Sequence, residues 1–151
     1  MLNGLDLFSG GGGLAEGLHA WVRPVAYCEI EPGAQRVLLS RIARGELPAA
    51  PIWDDVSTLR GDMLPTVDLI AGGFPCQDIS VAGTGSGLGG KRSGLVFEYL
   101  RLIGECRPRF VFMENVPALT IRGLDRVLLG LNALGYDARW TIVSAQELGA
   151  T

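Results

Sequence analysis

Residues 4–8, GLDLF, form a short apolar run that passes straight into Ser9 and four consecutive glycines, Gly10 to Gly13, before LAEGLHAW (14–21). No other stretch narrows the fold as much. A buried run that ends in glycines and restarts with helix-forming residues predicts the strand–turn–helix of an α/β unit, where a backbone without Cβ atoms lets a ligand approach. Gly10-Gly11-Gly12-Gly13-Leu14-Ala15 fits the G-x-G-x-x-[G/A] spacing, and Glu29 stands at the end of the next apolar run, PVAYCEI (24–30). A carboxylate in that position accepts hydrogen bonds from ribose hydroxyls. The pattern predicts a nucleoside-containing cofactor, and both NAD and S-adenosylmethionine fit it. The plainer alternative is a flexible turn.

The alternation continues along the chain. PGAQRVLLSRIARG (32–45) predicts a helix, and residues 47–53 lead into a third short strand. TVDLIAGG (66–73) reads as a fourth strand, GLVFEYLRLIGEC (94–106) as a helix and PRFVFMENV (108–116) as a fifth strand. LDRVLLGLNALG (124–135) predicts a helix and YDARWTIVSA (136–145) a sixth strand. Strands that alternate with helices imply right-handed crossovers and a mostly parallel, doubly wound α/β sheet covered on both faces. The 151 residues suit one domain over 1–151, with neither repeat nor linker.

Composition sets further bounds. Glycine stands at 22 positions, well above the usual share of about 7%, and clusters at 10–13 and 83–94, which is local loop chemistry. The net charge of −3 counts against a duplex-DNA binder unless its basic surface lies elsewhere. Cys28, Cys76, Cys106 and the lone His19 show no metal-ligand spacing, so no metal is expected, and a reducing cytoplasm is the natural setting. No signal peptide or membrane span is expected either. The C-terminal ELGAT carries no turn, cap or tail and reads as interrupted.

Function in open α/β sheets gathers beyond the carboxyl ends of the strands. GGFPCQDIS (72–80) sets Cys76 just past the fourth strand, while Glu114 and Asn115 close the fifth. These strands should be neighbours, so a thiol and a carboxyl would face one pocket. A free cysteine is most often a small buried hydrophobe, but a Pro-Cys-Gln-Asp loop makes a poor core. Cys28, in a strand, and Cys106, at a helix end, suit the buried role better. Glu114 could equally be a strand-end ion-pair partner. Its position after FVFM, read as a buried run, favours instead a raised pKa and proton-donor chemistry. Pro75 fixes its own φ and lacks a donor, so it frames Cys76 rigidly.

In DLFSGGGGL (6–14), YCEIEP (27–32), DDV (54–56), GGFPCQDIS (72–80), GKRSGLVFEY (90–99), RPRFVFMENV (107–116) and LGYDARW (134–140), the chain resembles the N-terminal catalytic part of the DNA (cytosine-5)-methyltransferases. The blocks follow the family's order over almost the whole chain, and Pro-Cys-Gln with Glu-Asn-Val is a specific pair. The resemblance implies a Rossmann-like methyltransferase fold and S-adenosylmethionine as cofactor. It implies that Phe8 packs on the adenine or ribose and that the Gly10–Gly13 backbone holds the methionine part, with Ser9, Gly12, Gly13 and Leu14 in the same site. Glu29 would bind the ribose hydroxyls, Ile30 the adenine ring, and Asp55 the adenine amino group, with Asp54 as a near neighbour. Val56, Gly73 and Leu95 would complete that pocket.

The same resemblance implies the chemistry. The Cys76 thiolate would add to C6 of a cytosine extruded from the duplex, making C5 enamine-like. Protonated Glu114 would donate to N3, and Asn115, Pro75 and Gln77 would hold the loop or the base. TGSGLGGKRSG (84–94) fits the mobile segment that closes over DNA in this family, with Lys91, Arg92 and Ser80 as DNA contacts. The partner would be double-stranded DNA, in bacterial or phage restriction-modification in the cytoplasm. VSAQELGA (143–150) resembles the start of the family's next block, and a basic stretch, a target-recognition domain and a closing C-terminal helix would lie beyond it, here or on a complementing chain. That would account for the acidic balance. Two other readings stand beside this one: a non-catalytic module that binds S-adenosylmethionine or a partner, and an NAD-dependent oxidoreductase, which leaves Phe-Pro-Cys-Gln and Glu-Asn-Val unexplained. A tRNA-directed relative is a variant of the first.

Overall fold

Apolar runs bounded by glycine and proline assemble here into a central parallel sheet. The computed structural model describes residues 1–75, 94–144 and 146–149. Five strands, β1 (Leu2–Leu7), β2 (Val22–Cys28), β3 (Ile52–Trp53), β4 (Leu69–Gly73) and β5 (Phe110–Glu114), lie in the order β3-β2-β1-β4-β5. Every neighbouring pair is parallel. The chain winds outward from β1 to β3 and then returns to β4. The direction of winding therefore reverses between β1 and β4, the position where open α/β sheets bind ligands.

Helices cover both faces, as the doubly wound reading requires. They are α1 (Gly13–Leu18), α2 (Pro32–Ala43), α3 (Leu95–Cys106), the single turn α4 (Leu119–Arg122) and α5 (Leu124–Ala133). On one face Leu5, Leu7 and Ile70 pack with Tyr99, Leu102 and Ile103 of α3 and with Val127 and Leu131 of α5. On the other, Leu69 and Ala71 pack with Val22 and with Leu14 and Leu18 of α1, while Tyr27 meets Ala15, Leu38 and Leu47. Alternate residues of each strand serve opposite faces, as the period of two demands.

Two expectations are corrected. Residues 136–144 form no strand: everything from Asp137 to Ser144 is exposed, and no described strand lies beside them to satisfy their N–H and C=O groups. The third short strand, into which residues 47–53 lead, is Ile52–Trp53. FVFM is not a buried run, because Phe110 and Phe112 are 50% and 45% exposed and Glu114 is exposed as well. The reason is position. Val111 is in register with Ile70 and Phe112 with Ala71, so Val111 turns toward α3 and α5 while Phe112 turns to the α1 face, beyond the reach of that short helix.

One buried group works against the fold. Asp6 is 3% exposed, in register with Tyr27 on β2 and Ala71 on β4, and neither of its carboxylate oxygens has a hydrogen-bond partner among the described residues. Burial pushes its pKa up to about 7, and the nearby Glu29 carboxylate adds to the rise. Ser9 opposes the rise only in part, for its hydroxyl donates to the Asp6 main-chain carbonyl at 2.8 Å.

The raised value has a definite sign for stability. Between pH ~4 and ~7 the native state holds a proton that the unfolded chain releases, so this group's contribution is complete below pH ~4 and is lost as pH rises to ~7. From the ordinary 3.8 to about 7, the loss amounts to up to about 4 kcal/mol. Urea unfolding of Asp6→Asn should lack this decline relative to the parent; parallel pH dependences of the two would refute it. Separately, Ile70 is fully buried in β4, and Ile70→Ala should lower the unfolding free energy by about 2–5 kcal/mol.

Candidate active site

Because all five described strands are parallel, their carboxyl ends share one edge of the molecule, and those sequence-predicted residues that are described gather around it. Phe8 ends β1 in the left-handed region at φ 55°, a conformation rare and strained for a bulky residue. It tips the chain into the glycine turn. Gly12 follows at φ 85°, and a Cβ there would lie 2.5 Å from Leu47 Cδ1, so another residue would be strained in the backbone and would push Leu47 aside. At Gly10 and Gly13 the opposite holds, with no atom within 4 Å of where a Cβ would sit. The turn is thus packed against the protein at Gly12 and open at Gly10 and Gly13.

Glu29, one residue past β2 and 8% exposed, fastens this turn. Its Oε2 accepts the Gly10 N–H at 2.7 Å and its Oε1 the Glu31 N–H at 2.8 Å. Each carboxylate oxygen has two lone-pair sites, so a ribose diol can still be accepted. Ser9 is buried and spends its hydroxyl on main-chain carbonyls, and Leu14 packs into the α1 core. Arg41 braces the turn from α2, donating to the Gly11 carbonyl at 2.8 Å and pairing with Glu16 and Glu46.

The far wall is more open. Ile30 is 66% exposed beside the turn. Asp55 accepts both the N–H and the hydroxyl of Ser57 on Oδ1, at 2.8 and 2.7 Å, and these donors hold its carboxyl below the ordinary range. Oδ2 is left for another donor. The Val56 side chain is buried in the core, and Leu95, the first residue of α3, packs partly against that core. Arg101 on α3 donates to the carbonyls of Val56 and Leu59, both at 2.9 Å, which ties the loop carrying Asp55 to that helix.

At the β4 and β5 ends the register pairs Gly73 with Glu114. A Cβ on Gly73 would lie 2.6 Å from Glu114 Oε2, so glycine is what lets the carboxylate lie over the end of β4. Asn115 Nδ2 donates to the Phe74 carbonyl at 2.8 Å, and Asn115 Oδ1 accepts the Val116 N–H at 2.9 Å. Phe74 is buried and Pro75 exposed. Cys76, Gln77, Ser80, Lys91 and Arg92, with the glycine-rich stretch from 84 to 93, lie outside the described residues. The other two thiols are poor nucleophiles: burial first, then the carboxylates of Asp55, Glu29 and Asp54, push Cys28 up to about 12, and burial raises Cys106.

Tyr99 joins the two halves of the site and carried no role in the sequence. It is fully buried, with its ring 6.2 Å from Phe8 and 6.3 Å from Phe74, and its hydroxyl donates to the carbonyls of Ile70 and Phe112. A tyrosine one turn into a predicted amphipathic helix was the available signal, but its contacts need the third dimension. Nothing in the local sequence marks Asp6 either. Among the described residues no group of three His, Cys, Asp or Glu side chains is placed to hold a metal, and no helix is long and apolar enough to cross a membrane.

Comparison with known proteins follows this geometry. The chain is 34% identical over 148 residues to Type II methyltransferase M.CviJI of Paramecium bursaria Chlorella virus IL3A, covering 97% of the chain and 39% of that protein. It is 36% identical over 154 residues to Type II methyltransferase M2.BsuMI of Bacillus subtilis, covering 96% and 38%. Among solved structures, a protein described as a DNA modification methyltransferase encoded within an Escherichia coli prophage superposes with a TM-score of 0.67 at 28% identity, over 88% of this chain and 38% of that one. The chain thus spans about two-fifths of the length of the curated relatives it matches. A profile of C-5 cytosine-specific DNA methylases matches residues 2–151, and the chain belongs to that family.

Proposed function

We propose that this chain is the cofactor-holding and nucleophile-bearing part of an enzyme that methylates C5 of cytosine in double-stranded DNA. The observation that carries the reading is the β4–β5 register. It sets Glu114 against Gly73, three residues before Cys76, and Asn115 on the Phe74 carbonyl. An acid and the entrance to a cysteine loop thereby stand side by side.

The glycine turn fits S-adenosylmethionine. Gly10 and Gly13 leave room for a ligand against the backbone, Glu29 keeps acceptor capacity for a ribose diol, and Asp55 keeps one oxygen for an amino donor. Phe8, Ile30 and Leu95 supply apolar surface around them. When bound, the cofactor supplies an electrophilic methyl group on a sulfonium centre.

The remaining work falls to the chain's own groups. Cys76, as thiolate, attacks C6 of the extruded cytosine, and a C6–S bond forms as the C5–C6 double bond gives up its electrons. Glu114 places a proton at N3 and so takes up the developing charge. Asn115 fixes the loop that presents the sulfur, with Pro75 and Gln77 beside it. Once C5 carries its methyl group, loss of the C5 proton to solvent, expulsion of the thiolate and return of the N3 proton to the Glu114 carboxylate restore the ring and the acid. Lys91, Arg92 and Ser80 meet the DNA backbone. Reading of the target sequence belongs to the three-fifths of such an enzyme outside the matched stretch, on this polypeptide or on a complementing one, in the cytoplasm of a bacterial or virus-infected cell.

Two measurements test this. In the enzyme completed by its remaining part, Cys76→Ser should abolish the covalent adduct with 5-fluorocytosine DNA on a denaturing gel while calorimetric binding of S-adenosylmethionine persists; an adduct that survives would refute the nucleophile. Glu29→Ala should weaken cofactor binding about ten- to hundredfold, from the ~1.5–3 kcal/mol lost with a charged hydrogen-bond acceptor. Unchanged affinity in a variant that still melts cooperatively would remove Glu29 from the cofactor site.

A further inference from the structure

Four consecutive glycines have no side chains with which to fix their own shape. Glycine gives up more backbone freedom on ordering than any other residue, and Gly10 and Gly12 sit at φ 53° and 85°. The turn is therefore ordered from outside, and one stripe of α2 reaches three of its residues. Gln35, Leu38 and Arg41 recur every three residues along that helix, so they lie on one side of it. Gln35 Nε2 donates to the Glu29 carbonyl at 2.6 Å, and the Glu29 carboxylate in turn accepts the Gly10 N–H. Leu38 is fully buried, and its Cδ2 would stand 3.1 Å from a Cβ on Gly12. Arg41 takes the residue between them. Its Nη1 donates to the Gly11 carbonyl at 2.8 Å, its Nη2 to Glu16 at 2.8 Å and its Nε to Glu46 at 3.1 Å, so all three guanidinium nitrogens are engaged. The Glu16 N–H donates to the Gly12 carbonyl at 2.9 Å. Arg41 thus holds the turn directly at Gly11 and again through the first turn of α1.

We propose that Arg41 is a positioning residue for the cofactor: its guanidinium orders the glycine turn before S-adenosylmethionine arrives, and so sets how tightly the cofactor is held. This rests on the function proposed above. An exposed ion pair alone would carry little weight. Arg41 differs in two ways: its side chain is only 17% exposed, and one of its three bonds goes to a main-chain oxygen of the turn rather than to a carboxylate. Arg44, on the same helix end, supplies the comparison. Its side chain is 58% exposed, and it bonds to Glu46 and Ser40, away from the glycines. A turn that must be ordered on binding subtracts that cost from the affinity, and a turn already ordered does not. Lysine offers a single charged head on a flexible stem, without the planar fork that reaches three acceptors at once. Arg41 acts through the turn and has no need to touch the cofactor itself.

The first test needs no cofactor. The Gly12 N–H donates to the Ser9 carbonyl at 2.8 Å, so exchange of this amide in the full chain reports the order of the turn. Arg41→Ala should speed that exchange at least about fivefold and leave the amides of β4 unchanged, whereas Arg44→Ala should alter neither. The second test uses the enzyme completed by its remaining part. Arg41→Ala and Arg41→Lys should each weaken calorimetric binding of S-adenosylmethionine about three- to tenfold. The cofactor KM should rise in proportion while kcat at saturating cofactor stays unchanged, and Arg44→Ala should bind as the parent does. Cooperative thermal melting controls for folding, and Arg41→Lys carries the test if Arg41→Ala does not melt cooperatively. Unchanged Gly12 exchange, unchanged affinity in the folded variants, full recovery of affinity with lysine, or an equal loss with Arg44→Ala would each overturn the proposal. If the wild-type enzyme binds S-adenosylmethionine and the Arg41 variants match it, only this inference falls. If the wild-type enzyme binds none, the function proposed above falls and the cofactor role of Arg41 with it, whatever the Gly12 amide shows.

Discussion

The parallel pairing of β4 with β5 is the constraint on which the mouth of this sheet depends. Parallel strands place their carboxyl ends together, and a shift of one residue would send every side chain to the other face. Here the register brings Gly73 to Glu114 and leaves room for the carboxylate only because Gly73 has no Cβ. Tyr99 holds the same register from below, with its hydroxyl shared between a β4 carbonyl and a β5 carbonyl. Asn115 then catches the Phe74 carbonyl as the chain leaves β4. One ladder, one phenol and one amide therefore set the start of the Pro-Cys loop against the acid.

The other side of the site is held by charge and close packing. Glu29 closes the glycine turn through main-chain donors, and Gly12 is wedged against Leu47. Phe8 accepts an unfavourable backbone conformation at the point where the strand gives way to the turn. Beside it, the buried Asp6 carboxylate has no hydrogen-bond partner among the described residues. Strain and an unsatisfied carboxylate within three residues of each other are characteristic of regions shaped for something other than stability.

Much of this was legible in the sequence, and the losses have physical causes. The strand–glycine–helix opening, the placement of Glu29 and the neighbouring of the fourth and fifth strands follow from periodicity and from crossover rules, because a parallel α/β sheet leaves few other arrangements. YDARWTIVSA reads as a strand by alternation, yet a strand also needs a partner, and the sequence does not state that residues 137–144 have none among the described strands. FVFM reads as buried by composition, but burial depends on what lies over it, and α1 is too short to reach Phe112. Tyr99 and Arg101 were hidden for a different reason: their contacts cross dozens of residues, so no local pattern records them. The family membership was legible in its sequence blocks, while the roles proposed for Cys76, Ser80, Lys91 and Arg92 rest on that resemblance and on their chemistry.

Arg101 carries one last implication. A single guanidinium holds two carbonyls of the loop that presents Asp55, and its backbone belongs to the helix that begins right after the glycine-rich stretch. Lysine has no planar fork and cannot replace it. The loop that carries Asp55 and the helix α3 are consequently fastened to one another through two main-chain oxygens, so a displacement of either pulls on the other.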